Sequence, residues 1–459
     1  MINIIVAESS NHIIGNDNKM CWNFKKEFQY FKKITCKAVL NKKNVIIMGY
    51  NTHKSIGKIL KERINIIINR EVENIEIVNE NHYMSNNLSN AIKYSKNKDN
   101  IDKIFIIGGE AIYKEALKRT DIDKIYLTRI KKKYEGNKFF PKLFDNFYLN
   151  DITIEKENDV NIEYRIYQYN VEKSEEYQYL NVLQKVLKTG IDCGDRTGVG
   201  TKSIFGTQMR FKLEERLPVL TTKRVYWKGV VEELLWFLKG DTNNNNLNKN
   251  GVRIWDGNTS REFLDKRKLY KFKVGDIGAT YGHQFRHFGA EYNGFDEDYS
   301  GKGFDQVQYI IDEIKKNPDS RRLIISLWNP TQFDDMTLPA CLMLYQFKVY
   351  GNKLSCSVYQ RSGDLFLGVP FNITSASLLT YIIAKLTNLI PDELIYTIGD
   401  AHIYTSHIDQ VKEQLLRKPY SFPILKINGN QKKVEDFIYE DFQLLGLDTH
   451  PTIKAKMAI

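Results

Sequence analysis

Lys103-Ile104-Phe105-Ile106-Ile107-Gly108-Gly109-Glu110-Ala111 joins two kinds of structure within one short stretch. Ile104 to Ile107 is an unbroken apolar run, without the alternation of a half-solvated strand, so it reads as a strand buried on both faces. Helical spacing follows over Glu110–Lys118. The glycine pair between them lets a backbone approach a ligand, and the helix start offers free N–H groups to a phosphate. A Gly-Gly turn is also common punctuation between elements, so both readings stand at this point.

The same kind of strand recurs on either side, at Ile2–Ala7, Val45–Met48, Ile64–Ile68, Lys124–Ile130 and Tyr164–Val171. Helical patterns at Phe24–Ile34 and Leu88–Ser95 separate them, which predicts an α/β domain with a largely parallel sheet over residues 1–171. Glu172-Lys173-Ser174-Glu175-Glu176 reads as a short charged linker (172–176). From Tyr177 a new pattern begins, with Leu180, Leu183, Val186 and Leu187 on one helix face and Gly190 as its cap. Helices over Gly229–Leu238, Asp305–Asn317 and Ser375–Leu386 mix with strands at Arg322–Trp328, Leu344–Tyr350 and Lys353–Gln360. That mixture predicts an α+β domain over 177–459. The run Asn243–Asn246 is expected to be a solvated loop.

A chain of 459 residues suits two or three domains, and 42% hydrophobic content is enough to build their cores. The net charge of +11 favours anionic ligands. Its lysines are scattered, however, and no aromatic-basic interleaving or recognition helix is present, so nucleic acid is not expected as a partner. Five widely spaced cysteines without a C-x-x-C pair argue against a disulfide framework or a metal site, and for a reducing, cytoplasmic setting. No apolar run reaches the roughly 18 residues that span a bilayer. Ser377–Leu386 comes nearest and carries Lys385, while the first residues read as a strand and not as a signal peptide.

Two stretches carry chemistry. Leu338-Pro339-Ala340-Cys341 and Gln360-Arg361-Ser362-Gly363-Asp364, laid side by side, would set a thiol against a guanidinium and favour the nucleophilic thiolate. The alternative is an inert cysteine packed as a small hydrophobe. Glu27 lies among Trp22, Phe24, Phe28 and Phe31 at helical spacing; it is either a solvated edge residue or an acid whose proton is retained by burial. Arginines beside small polar residues recur at Asp195-Arg196-Thr197-Gly198, Ser320-Arg321-Arg322 and Arg361-Ser362. They are surface ion-pair donors or, if they converge, a phosphate cage.

In order and spacing, Ile13-Ile14-Gly15, Met20-Cys21-Trp22-Asn23, Ile47-Met48-Gly49, Ser55-Ile56-Gly57, Arg63, Ile106–Glu110 and Tyr126-Leu127-Thr128 resemble dihydrofolate reductase. The resemblance implies NADPH as cofactor and Glu27 as the acid that binds the pterin edge, with Thr128 as its hydrogen-bond partner. It implies Arg63 as the clamp on the folate carboxylate, and Ile5, Phe31 and Ile107 as the pterin pocket. Ala7, Ile14, Gly15, Thr52, Ser55, Arg70, Gly108, Gly109 and Glu110 would hold NADPH. Where that family usually has Gly-Arg or Gly-Lys, this chain has Gly49-Tyr50, so the cofactor's charge would lean on Arg70. Cys21 stands where a proline is usual.

The remainder resembles thymidylate synthase, through Asp195–Phe205, Glu233–Leu238, Arg253–Asp256, Ser320–Arg322, Leu338–Cys341, Gln360–Asn372, Gly399–Tyr404 and Met457–Ile459. A reductase followed by a synthase is similar to the bifunctional family of protists and plants. By that resemblance Cys341 is the nucleophile on dUMP, Glu233 the acid/base, and Tyr281 an aid to loss of the C5 proton. Arg196, Arg361 and Ser362 would bind the phosphate, with Arg321 and Arg322 supplied by the partner of a homodimer formed through this domain. Asn372 would read the uracil edge and His402 and Tyr404 the ribose. Trp255 and Asp364 would bind the folate, Asp364 also lying in the dUMP site, and 5,10-methylenetetrahydrofolate would be cosubstrate. The C-terminus would close as a lid. Leu342 stands where this family has histidine, which removes an imidazole beside the nucleophile.

Overall fold

The computed structural model describes residues 1–119, 121–143, 147–169, 174–195, 197–214 and 216–456. Backbone contacts divide the chain into two compact units, Met1–Lys173 and Ser174–Ile459.

The first unit is built on a nine-stranded sheet. Its inner strands run Ile122–Ile130, Ile2–Ser9, Ile101–Gly108, Lys43–Gly49, Arg63–Ile68 and His82–Ser85, all paired in parallel. All of them except His82–Ser85 are the unbroken apolar runs of the sequence, and residues such as Ile4, Ile46, Ile66 and Ile106 are fully buried. Two antiparallel strands, Val160–Tyr169 and Phe147–Glu157, extend one edge, and Glu76–Asn79 closes the other. The sequence reading missed the strands His82–Ser85, Glu76–Asn79 and Phe147–Glu157, together with the polar helix Tyr50–Ile56. Their residues are too polar or too short for an apolar period to mark them.

Helix Lys25–Cys36 packs Phe31 and Ile34 against Ile5, Met48 and Ile107 of this sheet. Its N-cap residue, Phe24, has no capping side chain. Glu157, from the edge hairpin, caps it instead, accepting from the N–H groups of Lys25 and Lys26 at 2.9 and 3.0 Å. The fold therefore sets the register of the helix that carries Glu27.

The second unit is α+β. Its six-stranded sheet runs Ile191–Cys193, Thr201–Lys212, Ile390–Tyr404, Lys353–Asp364, Leu342–Tyr350 and Ile324–Ser326. Only the Lys353–Asp364 and Ile390–Tyr404 pair is parallel. Helix Gly368–Thr387 covers this sheet as its central core element. By length and composition it could cross a membrane, yet 83% of its apolar window is buried inside the fold. The polar residues Thr374, Ser377 and Thr380 are accommodated there by bonding back to carbonyls four residues earlier.

Two sequence expectations fail here for one reason. Asn244 begins a helix, Asn244–Lys249; it is buried, and with Asn248 it donates to Asp256 Oδ1 at 2.9 and 2.8 Å. Glu176, read as linker, opens helix Glu176–Thr189 and is fully buried. Its carboxylate accepts from both the N–H and the hydroxyl of Thr221 and Thr222, at 2.6 to 2.9 Å. In each case polar side chains are buried because distant partners satisfy them, which local sequence does not reveal. Glu176→Ala would leave three buried donors without an acceptor, and the Thr221 hydroxyl with only the Tyr420 carbonyl at 3.4 Å. Chemical unfolding of the second unit should show a loss of about 3 kcal/mol or more, with Glu176→Gln intermediate.

Candidate active sites

In the first unit, register places Ala7 beside Thr128 and Ile5 beside Tyr126. Ile5, Ile107 and Phe31 share one apolar cluster. Glu27 faces this region from the first turn of its helix and is 5% exposed. Burial pushes its carboxyl up to about 7. The expected bond from Thr128 is not made: Thr128 is buried on its strand, and Glu27 Oε2 has no hydrogen-bond partner. A donor to the ionised carboxylate would have pulled its pKa down, so the missing bond and the raised pKa agree. Trp22 Nε1 and Tyr164 OH are likewise buried and unpartnered. Arg63 is buried and locked, donating to Thr35 Oγ1 at 2.8 Å and to the Lys61 carbonyl at 3.0 Å, with its guanidinium 5.9 Å from the Phe31 ring centre.

The Gly108-Gly109 junction lies beside the Tyr50–Ile56 helix. Gly108 has φ of +110°, and a Cβ there would sit 2.8 Å from the Tyr113 ring; at Gly109 it would meet Thr52 Oγ1 at 3.1 Å. Tyr113 is tied down by its hydroxyl, which donates to the Ile5 carbonyl at 2.9 Å. The loop carrying Ile14 and Gly15 is pinned through the Gly15 carbonyl, which accepts from Asn137 at 3.2 Å, and through Ser55, whose hydroxyl donates to the Asn18 carbonyl. Cys21 donates to the Glu135 carbonyl at 3.4 Å. Arg70 is exposed in the turn after its strand. Glu110 is already engaged by Lys114 at 2.5 Å and by the Phe139 N–H at 3.2 Å, and the Lys114 bond holds its carboxyl below the usual range. Lys54 lies 4.5 Å over the Tyr50 ring, one turn along the helix.

In the second unit the two chemical stretches do lie side by side: Leu342 pairs with Gln360, and the Arg361 N–H donates to the Cys341 carbonyl at 2.9 Å. The Arg361 guanidinium donates to the Ala340 and Pro339 carbonyls at 3.0 and 2.8 Å and reaches Cys341 Sγ at 3.8 Å. Its other flank lies 5.4 Å from the Trp328 ring centre. The Cys341 N–H donates to Tyr281 Oη at 2.9 Å. Tyr281 stacks on Phe237 at 4.7 Å and meets the Trp255 edge at 6.1 Å. Glu233, on helix Trp227–Leu238, accepts from Trp255 Nε1 at 2.7 Å. Burial pushes its carboxyl up to about 7, the indole bond pulling the other way. Leu342 is buried in the main core.

Ser362 pairs with Asp400 and Asp364 with His402 on adjacent parallel strands. Asp364 Oδ1 accepts from the Phe366 and Leu367 N–H groups at 2.9 and 3.2 Å, turning the chain into its long helix. Asn372, in the first turns of that helix, lies beside the Tyr396 hydroxyl, which donates to Gln360 Oε1. The His402 ring stands edge-on to Tyr404 at 5.2 Å. Arg321 and Arg322 are exposed and form no ion pair among the described residues. Arg196 and Met457-Ala458-Ile459 lie outside the described residues. The sequence reading overlooked Lys223, buried 3.6 Å over the Phe366 ring centre and donating to the Phe366 carbonyl. Burial lowers its pKa to about 8, with Asp364 opposing. It overlooked Trp328 and Tyr164 as well; burial marks Lys223 and Tyr164, and the Arg361 guanidinium over its ring marks Trp328. Among the described residues no cluster of metal-ligating side chains is found.

Comparison with known proteins divides the chain at the same place. The family model described as dihydrofolate reductase matches residues 1–172, and the one described as thymidylate synthase matches residues 177–459. Similar relatives span nearly their whole length. A bifunctional dihydrofolate reductase-thymidylate synthase of Paramecium tetraurelia is 42% identical, covering 99% of this chain and 98% of its own. Proteins of the same name from Glycine max and Leishmania major are each 40% identical, covering 99% of this chain and 95% of theirs.

The Glu233 carboxyl has a measurable signature. Raised from 4.5 to about 7, its burial costs nothing below pH 4.5, an increasing amount up to about pH 7, and its full amount above. Glu233→Gln keeps an acceptor for Trp255 and removes that cost. It should stabilise the second unit at about pH 8, by on the order of 3 kcal/mol, with the gain gone at about pH 4 in denaturant titrations.

Proposed function

The chain belongs to the family of bifunctional dihydrofolate reductase–thymidylate synthases, and from that premise we propose which of its residues carry each reaction. It is an enzyme with two activities, methylation of dUMP to dTMP and reduction of dihydrofolate to tetrahydrofolate. Both families work on folates, and NADPH is in general the reductant of the reductase family; for this chain 5,10-methylenetetrahydrofolate is the proposed cosubstrate of the synthase half and NADPH the proposed cofactor of the reductase half.

In the synthase half Cys341 Sγ adds to C6 of dUMP, forming an S–C6 bond and moving the electron pair toward C5 and O4. C5 then bonds to the methylene carbon of the cosubstrate as one of that carbon's bonds to a folate nitrogen opens; loss of the C5 proton breaks the second carbon–nitrogen bond and releases tetrahydrofolate. Hydride transfer from that tetrahydrofolate, which leaves as dihydrofolate, completes the methyl group as the thiolate departs. The observation that carries this reading is the guanidinium fixed 3.8 Å from Sγ by two turn carbonyls, with the phenol of Tyr281 on the nucleophile's own N–H. Glu233, protonated near neutrality, suits an acid/base acting through water at O4 and C5, and Tyr281 suits loss of the C5 proton. Arg361 and Ser362, with Arg196, are assigned to phosphate, His402 and Tyr404 to ribose, Asn372 to the base, and Trp255 and Asp364 to folate. Lys223 joins them as a cation beside Asp364.

In the reductase half Glu27 is assigned as the acid and Arg63 as the clamp, its guanidinium held in place by the Lys61 carbonyl and Thr35 Oγ1. Gly108 and Gly109, where a side chain would strike Tyr113 and Thr52, form a cradle that admits close backbone approach by a cofactor phosphate. Bound there, NADPH supplies a hydride. Ala7, Ile14, Gly15, Ser55 and Arg70 are assigned to the same cofactor, and Lys54 adds a cation near Tyr50. Glu110 is better assigned to holding its own helix and the Phe139 backbone.

A homodimer through the second unit is supported by its sheet. Five of its strands expose a large apolar residue (Phe205, Ile324, Tyr350, Tyr359 and Ile390), with Phe205 87% exposed. A second copy would cover them and bring Arg321 and Arg322, which form no ion pair among the described residues, toward a phosphate. All five cysteines are free, which supports the reducing, cytoplasmic setting.

A coupled assay with dUMP, methylenetetrahydrofolate and NADPH tests the whole reading: dihydrofolate should form first and NADPH should then be consumed. Cys341→Ser should abolish dTMP formation while NADPH-dependent reduction of added dihydrofolate continues at the wild-type rate. Loss of both activities in a folded variant would refute the assignment of two separate catalytic centres.

A further inference from the structure

The pocket around Glu27 holds more hydrogen-bonding capacity than its residues use. Trp22, Glu27 and Tyr164 are 7%, 5% and 5% exposed, and Trp22 Nε1, Glu27 Oε2 and Tyr164 OH are buried without partners. Trp22 and Tyr164 pack in one cluster with Phe24, Ile130 and Ile162. Tyr164 pairs with Thr128 across the strands, so both side chains share one face of the sheet. Its ring lies 4.3 Å from that of Tyr30, one turn beyond Glu27 on the helix. The Tyr164 phenol is also close enough to feel the charge of Glu27.

The other ionisable groups facing this pocket are committed elsewhere. Glu155 pairs with Lys26 at 3.3 Å, and Glu157 caps the Glu27 helix. Tyr113, also within reach of Glu27, donates to the Ile5 carbonyl. Tyr126 and Asp151 face Tyr30 and not Glu27. What remains is one indole N–H, one hydroxyl and one carboxylate oxygen, and leaving all three unpaired would be costly. Two donors and an acceptor are what a single internal water requires.

We propose that Tyr164 is a positioning residue of the reductase. With Trp22 it donates to an internal water whose own O–H donates to Glu27 Oε2, fixing the carboxyl and leaving Oε1 for the substrate. This rests on the assignment of Glu27 as the reductase acid. A water donating to Oε2 favours the ionised carboxylate, so losing the phenol that orients it makes Glu27 hold its proton to higher pH.

The test is the pH dependence of dihydrofolate reduction by the full chain. Tyr164→Phe keeps the ring and its stack on Tyr30. It should move the midpoint of the profile upward by about half to one pH unit, while dTMP formation is unchanged. Tyr30→Leu, which removes the ring packed on Tyr164, should leave the midpoint in place; an equal shift there would mean packing is responsible and overturn the proposal. An unmoved midpoint in Tyr164→Phe, with only lowered stability, overturns it too. A pH transition that persists in Glu27→Gln overturns the assignment of Glu27 as well, whereas one that vanishes there but does not move in Tyr164→Phe overturns only the role of Tyr164. Independently of any variant, a crystal structure of the wild-type chain should show a solvent peak within hydrogen-bond distance of all three atoms. Its absence would refute the inference.

Discussion

Removing a carboxyl group from water is the constraint on which both units turn. An ionised carboxylate in an apolar interior must gather donors or hold its proton. The chain shows this at three glutamates. Glu176 gathers four donors from Thr221 and Thr222 and serves the fold. Glu233 has one donor, the Trp255 indole, and its carboxyl rises to about 7. Glu27 lacks a partner at its buried Oε2 and rises as far. Burial raises all three carboxyls; at Glu176 the four Thr221 and Thr222 donors oppose that rise and tie both oxygens to the fold, at Glu233 one indole opposes it, and at Glu27 no donor does.

Holding such a group requires a scaffold that cannot relax around it. In the first unit this is the parallel sheet, whose inner strands are buried on both faces, with a helix whose first turn is fixed by Glu157. In the second it is a web of short bonds around the Cys341 turn. Thr280 donates to the Leu338 carbonyl at 3.1 Å, Cys341 donates to Tyr281, and Arg361 spans two carbonyls of the turn. The guanidinium that would favour the thiolate is also the brace that shapes its loop. Losing it would disturb geometry and charge together, so a simple substitution there does not separate the two.

Much of this was legible in the sequence because it is local. Unbroken β-branched runs mark inner parallel strands, since a strand buried on both faces needs no polar alternation. The pairing of Cys341 with Arg361 was readable because both stretches flank strands that become neighbours. Strand Phe147–Glu157 and the long strand Ile390–Tyr404 escaped notice, because polar residues such as Asn150, Asp151, Asp392 and Glu393 break their apolar pattern. Such strands are specified by the neighbour they pair with, more than by their own composition.

The sequence by itself determined the two units and their classes, which follow from apolar period. The chemistry proposed for each centre came from the resemblance of many short motifs to two families, since spacing alone left both readings of Cys341 and Glu27 open. Only the tertiary structure decided that Glu176 is buried and satisfied, that Asn244 is buried with its amide N–H bonded to Asp256, that Glu27 Oε2 is left unbonded, and that the Tyr164 hydroxyl is buried without a partner. Whether a polar atom is satisfied depends on groups brought from tens or hundreds of residues away, and desolvation is a property of that assembled surrounding.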